Sequence, residues 1–356
     1  MANRAPAGAD TGTFTRDGLD FLTYGVALAF GFAVAAMGPA MPLLRDDLGI
    51  SRTVGGLHFT AIAAGSVVSG LVVERLTAAW GRRRVFWLGA TGIALGALLV
   101  GVGWSAVITV AGGLLIGTTG SAVLAVSQAL LSDHHPGHRS VALTALTTSM
   151  SAGTVIPALL IGALVAAGAG WRPAFLAPLV IWFALIALGR AVAIPVATNG
   201  LAQGEPARLP RAYWFFWAGF VPAVAAEWSV GVWGAGYLVD VAGTTEGAAA
   251  LLMSAYFGAI AGGRVVGGRL ARTIGSFSLL MGATAIALGG VLFFWASTSV
   301  LAVVAGLLVA GLGIAMLFPM LLSLAMDTAP DRPDVASARV FVSAGLATLV
   351  APLTLG

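Results

Sequence analysis

Glu227 stands in the stretch AAEWSVGVW and is the single charged residue between Arg211 and Asp240. A carboxylate in such surroundings can carry a proton or pair with a cationic solute; the plainer alternative is a hydrogen bond that joins helices. Ala223, Gly231 and Gly234, one or two helical turns away, are small and suit a cavity wall or close packing. Arg264 offers an anion site, although a long cationic side chain near a helix end commonly runs out to the interface over its apolar stem. His134, His135 and His138 cluster beside Asp133, a composition that suggests metal binding. With no further ligand nearby in sequence, they read as a feature of a short loop, and no metal is assigned. His58 is a candidate proton relay. Two absences remove whole chemistries. Without cysteine there is no thiolate nucleophile or thiolate metal site, and without lysine no Walker-type phosphate loop and no Schiff base.

The elements that carry these groups are long and apolar. Of 356 residues 59% are hydrophobic and 9% charged, outside the range of soluble globular domains. Residues 85–132 and 273–326 contain no Asp, Glu or Arg. Each is long enough to cross a bilayer twice, at about 20 residues per crossing. Gly103-Trp104-Ser105 and Ser297-Thr298-Ser299 break them in the middle, so both read as helical hairpins. The pattern predicts an all-α polytopic membrane protein with eleven spans near 20–43, 54–75, 85–103, 106–131, 141–168, 173–195, 213–238, 246–268, 277–296, 299–324 and 335–356. A β-barrel would show short alternating segments instead.

All eighteen basic residues are arginine. With the N-terminus in the cytoplasm, only Arg45, Arg52 and Arg172 fall on the far side, as the excess of positive charge in cytoplasmic loops requires. The basic balance therefore reports topology, and a nucleic-acid partner is not expected. The apolar run from Phe21 to Leu44 is too long for a signal peptide and reads as a retained first span.

The halves repeat at a separation of 194 residues. Arg75-Leu76 matches Arg269-Leu270, Gly81 matches Gly275, and Asp133 and Pro136 match Asp327 and Pro330. An offset of six spans leaves both halves in the same orientation, a parallel repeat. The division expected is a cytoplasmic tail 1–17, a six-helix bundle 18–196, a polar linker 197–212 and a bundle 213–356. Trp171-Arg172-Pro173 opens the sixth span and its counterpart would lie past the last residue, so a twelfth helix is expected to be missing.

At this point the chain resembles the major facilitator superfamily of secondary transporters. Gly70, Glu74-Arg75 and Gly81-Arg82-Arg83 are similar to that family's motif between its second and third spans, with Glu for Asp and four extra residues before Gly81. Gly268-Arg269-Leu270 looks like the second-half copy, and Trp171 to Phe175 and Pro39 to Asp47 look like two further landmarks. The resemblance implies two six-helix bundles related by pseudo-twofold symmetry. It also implies a conformational gate at the motif, in which Glu74 and Arg75 pair with Arg82 to Arg84; topology alone is the plainer reading. The spans that surround the cavity in this family carry Tyr24, Gln128, Trp228, Tyr256 and Phe318 here, each of which could equally be packing. The family's fourth-span arginine falls at Gly113, and the antiporter pattern of the fifth span is only loosely met by Gly153, Pro157 and Gly162.

The expectation is a monomeric secondary transporter of a bacterial-type cell membrane, moving a small solute by alternating access, with protons coupled through Glu227. Uptake of a metabolite and export of a metabolite or drug both remain open. The alternative is a non-transporting sensor or scaffold of the same architecture. An enzyme would need convergent His, Asp or Ser groups inside the spans, which are not found, so neither enzymatic activity nor a cofactor is expected.

Overall fold

Asp17 starts the first helix by closing a capping box: its carboxylate accepts the amides of Leu19 and Asp20, and Asp20 accepts the Asp17 amide in return. The computed structural model describes residues 14–195, 209–244 and 246–355. Most of the expected tail and of the expected linker lie outside the described residues. Among the described residues the chain forms eleven α-helices and no strand. They are α1 (Gly18–Leu48), α2 (Arg52–Trp80), α3 (Arg82–Val102), α4 (Ala106–His134), α5 (Arg139–Ala166), α6 (Ala177–Gly189), α7 (Arg211–Asp240), α8 (Glu246–Leu270), α9 (Ser276–Ala296), α10 (Val300–Thr328) and α11 (Pro333–Leu355). Among the described residues eight helical segments, in α1 to α6, α9 and α10, are long and apolar enough to cross a membrane; α7, α8 and α11, also expected as spans, are not among them. Leu301, Val107, Phe215 and Trp295 stand exposed on the outside, as a surface solvated by hydrocarbon requires.

Two boundaries differ from the sequence expectation. The second span was placed to end at residue 75, but α2 continues through Glu74-Arg75 to Trp80, since nothing between Leu76 and Trp80 breaks a helix. The connection to α3 is then Gly81 alone, with φ at 80°, a left-handed value that suits glycine. The four extra residues of the motif are one more helical turn of α2. The sixth span, expected over 173–195, begins with a 3-10 turn at Arg172–Leu176 and is helical only to Gly189, prolines occupying its early positions.

Helices α1 to α6 pack among themselves, α1 against α5 and α2 and α3 against α4; α7 to α11 do likewise, with α9 and α8 against α10. Contact between the two sets runs mainly along α11 with α2 and α4, and along α5 with α8 and α10. Small residues set these distances. A Cβ at Gly117 would collide with the Ile62 carbonyl, and one at Gly70 would lie 2.7 Å from the carbonyl oxygen of Ala338 across the seam between the sets.

Candidate functional site

Glu227 sits midway along α7, five residues after the internal Pro222. Its Oε1 lies 3.3 Å from Nη2 of Arg264 on α8, and its backbone carbonyl accepts the hydroxyl of the buried Tyr256 at 3.0 Å. Arg264 also donates Nε to the carbonyl of Ala315 on α10 at 3.4 Å. That reach depends on the neighbouring Gly263, whose missing side chain lets α8 approach α10. Either ion alone in mid-membrane would cost about 2.5–3.5 kcal/mol on insertion scales; paired, each offsets part of the other's penalty. The arginine side chain is 11% exposed and the carboxylate 30%, so the acid is the more accessible member. Of the two expectations for Arg264, an anion site lining the cavity or a run to the interface, the geometry takes the inward one, because the part-exposed carboxylate of Glu227 on the neighbouring helix attracts the guanidinium.

A second set of charges closes one end of the molecule. Arg82, the first residue of α3, donates Nε and Nη2 to both carboxylate oxygens of Asp334 in the first turn of α11, at 2.8 and 2.7 Å. Its Nη1 donates to Asp133 at 2.8 Å, near the end of α4. Three arginines at a helix N-terminus face the positive end of the helix dipole, so Arg82 is stable there only with acids beside it. Arg139 of α5 pairs with Asp327 of α10, and Arg339 of α11 approaches Glu74 of α2 to 3.8 Å. These three bridges between α1–α6 and α7–α11 sit at the arginine-rich end. Glu74 therefore reaches across the seam to Arg339, and Arg82 to Asp334: the pairing of Glu74 and Arg75 with Arg82 to Arg84 expected from the motif is not formed. The extra turn of α2 displaces the acid from the arginines and presents it to α11. Arg75, Arg83 and Arg269 lie exposed, and Gly268 packs against Thr144 of α5 with room for a Cβ only at 3.1 Å.

Of the aromatic and polar groups expected around a cavity, only Tyr256 joins Glu227 and Arg264. Phe318 packs on Phe220 of α7, ring centroids 5.1 Å apart, and Trp228 is exposed. Gln128 is fully buried in α4, and neither atom of its amide has a hydrogen-bond partner among the described residues. Tyr24 donates to Asp20 at 3.3 Å near the start of α1, away from the charge pair. His58 is buried against Thr109, 2.8 Å from its hydroxyl. At the far end, Trp171 donates to Asp47 and Arg172 donates to the carbonyls of Gly101 and Gly103, which pins α1 to α3 within the first set. The reading of the histidines as lacking further ligands is corrected by the fold: Asp17 and Asp20, 115 to 117 residues away in sequence, lie against His134 and His135.

The sequence reading missed Asp334, Arg339, Arg139 and the partners of Asp133. The repeat had already marked Asp133 and Asp327 as equivalent, and Asp334 and Arg339 belong to the charged cluster at the start of α11.

Two sets of helices, bridged by charge at one end and holding an ion pair between α7 and α8, have the architecture of a polytopic carrier of the secondary-transporter kind. The model of the Major Facilitator Superfamily matches residues 23–352. An uncharacterized MFS-type transporter of Yersinia pestis is 24% identical over 339 residues, 92% of this chain and 85% of the relative. Among solved structures, the human organic anion transporter MFSD10 (TETRAN) superposes with a TM-score of 0.77 at 15% identity, over 95% of this chain and 92% of that one. The MFS transporter FucP in its outward conformation does so with 0.74 at 16% identity, over 94% and 91%. These structural likenesses establish the fold. The chain belongs to the major facilitator superfamily, and its function is secondary transport across a membrane.

Proposed function

We propose that the chain carries a small solute by alternating access, as a monomer in the cell membrane, with residues 18–196 and 213–356 as the two rocking bodies and the arginine-rich end in the cytoplasm. The observation that supports this best is the placement of the bridges Arg82–Asp334, Arg139–Asp327 and Glu74–Arg339 at a single end. Charges concentrated there hold that end shut while leaving the other free to open, and breaking them reverses the access. The outward conformation of FucP, which this fold resembles, agrees with closure on the cytoplasmic side.

Inside, Glu227 and Arg264 act as the coupling pair. A proton on Glu227 releases Arg264, whose guanidinium then offers its donors to an anionic or strongly polar solute. Loss of the proton restores the internal pair and expels the solute. The same cycle runs inward or outward according to the gradients.

Proteoliposomes loaded with a pH-sensitive dye test this, with small carboxylates and sugars added under an imposed pH gradient. Solute-dependent proton movement is expected for the native chain and its loss for Glu227→Gln. Coupled flux that survives in that variant removes Glu227 from the mechanism. Because the chain has no cysteine, single cysteines at Arg83 and Arg269 can be labelled with an impermeant maleimide. Both should react from the cytoplasmic face; labelling of the two from opposite faces overturns the topology.

A further inference from the structure

We propose that the start of α1 and the end of α4 form a binding site for a divalent transition-metal ion of the zinc class, with His134, His135, Asp20 and Asp17 as ligands. The charge pair and the clasp leave these residues unexplained. One donor atom each from Asp20, His134 and His135 lie within 4.8 Å of one another. The Nε2 of His134 is 2.8 Å from Asp17 Oδ2, and the Nε2 of His135 is 3.0 and 3.2 Å from the two oxygens of Asp20. Both imidazoles thus aim the same nitrogen at a carboxylate. The rings stand edge to face, centroids 4.6 Å apart.

In a tetrahedral site with ligand bonds of about 2.0–2.2 Å, neighbouring donor atoms are roughly 3.4 Å apart. The imidazole–carboxylate separations must open by about 0.4–0.6 Å to reach that value, while gaps of up to 4.8 Å among Asp20, His134 and His135 must close by up to about 1.4 Å through side-chain rotation. An ion entering there takes the place of the hydrogens that bridge nitrogen and oxygen: an imidazolium releases its Nε2 proton to solvent, and a neutral ring carries its proton on Nδ1, so that each histidine binds as a neutral imidazole. Two imidazoles with carboxylates suit zinc, cobalt or nickel better than calcium or magnesium, which favour all-oxygen shells.

The supporting shell is in place. Asp20 is 0% exposed, and besides His135 it accepts the backbone amide of Asp17 at 2.9 Å and the hydroxyl of Tyr24 at 3.3 Å, so its oxygens are held in orientation. Asp17 is half exposed and His134 one-third exposed, which leaves a route from solvent. The position gives the ion a consequence. Phe14 packs on His135, centroids 4.8 Å apart, and the guanidinium of Arg272, from the connection between α8 and α9, lies 6.0 Å over the same ring. An ion that fixes His135 therefore stiffens a contact spanning the seam between the two sets of helices.

The test is calorimetric titration of the purified, tag-free full-length protein with Zn2+, alongside the visible absorption of the Co2+ complex. One ion per chain is expected. His134→Ala and His135→Ala should each weaken binding at least tenfold, and His138→Gln should leave it unchanged. Asp17→Asn, at a half-exposed position that the fold tolerates, should weaken it and alter the Co2+ spectrum. Absence of stoichiometric binding in the native chain overturns the proposal, and so does equal affinity in a folded His134→Ala/His135→Ala variant. The histidines would then serve only as hydrogen-bond partners of the two aspartates.

Discussion

Replacing Asp334 by Asn removes one charge from the buried part of the clasp and keeps the side chain's size. Arg82 is 2% exposed and Asp334 7%, and the guanidinium grips that carboxylate through two nitrogens. Removing one partner of a buried pair costs about 3–5 kcal/mol, because the other charge is left without compensation. Asp133 stays 2.8 Å from Nη1, so the lower figure applies, about 3 kcal/mol. Opening the seam admits water to Arg82, and the cost therefore falls on the closed state alone. At 1.4 kcal/mol per factor of ten, the closed-to-open ratio drops roughly a hundredfold. The assay is the distance between spin labels at Arg84→Cys, on α3, and Ile274→Cys, before α9, measured in nanodiscs by double electron–electron resonance. The native chain should give one short population and the variant a dominant longer one. Asp133→Asn is the contrast. Arg82 and Asp133 both belong to the first six helices and stay together when the seam opens, so their loss of contact weighs on both states and shifts the balance much less. An unchanged distance distribution in Asp334→Asn, or an equal shift in Asp133→Asn, refutes the role given to the clasp.

Asp327→Asn removes a second acid of the clasp, but at 49% exposure it should move the same distance distribution by less than the equivalent of about 1 kcal/mol. Gly70→Val places a branched side chain where even a Cβ lies 2.7 Å from the Ala338 carbonyl oxygen; it should push α2 from α11 and lengthen the label distance without changing any charge. Thr109→Val strips the buried His58 ring of its 2.8 Å partner, and orphaning such a group costs about 1–3 kcal/mol, to be read as a lower thermal midpoint in detergent. Arg264→Ala should lower thermal stability less in the Glu227→Gln background than alone, since the 3.3 Å pair is already broken there; additive losses would show that the two side chains are not coupled.

Much of the fold was legible because hydrocarbon solvent imposes a simple demand: every backbone group must be bonded within its own helix over about 20 residues. Runs such as 85–132 and 273–326 therefore declare their helices, and glycine and serine declare the turns. Helix ends were read less well, since α2 leaves the apolar core at Glu74 yet stays helical to Trp80, where propensity and the next glycine decide. The site was read as residues without partners. Glu227 and Arg264 were both noticed, but 37 positions of sequence separate them and no periodicity links α7 to α8.

What the sequence determined by itself was the class of molecule: the spans, the excess of arginine on one side, the repeat and the presence of a costly acid at Glu227. Those follow from transfer energies and helix geometry, which act residue by residue along the chain. Only the tertiary structure decided who meets whom. It turned Arg264 inward to Glu227, sent Arg82 across the seam to Asp334, and laid Asp17 and Asp20 against two histidines that looked isolated. A charge finds its partner by distance in space, and that distance is set when helices far apart in sequence pack side by side.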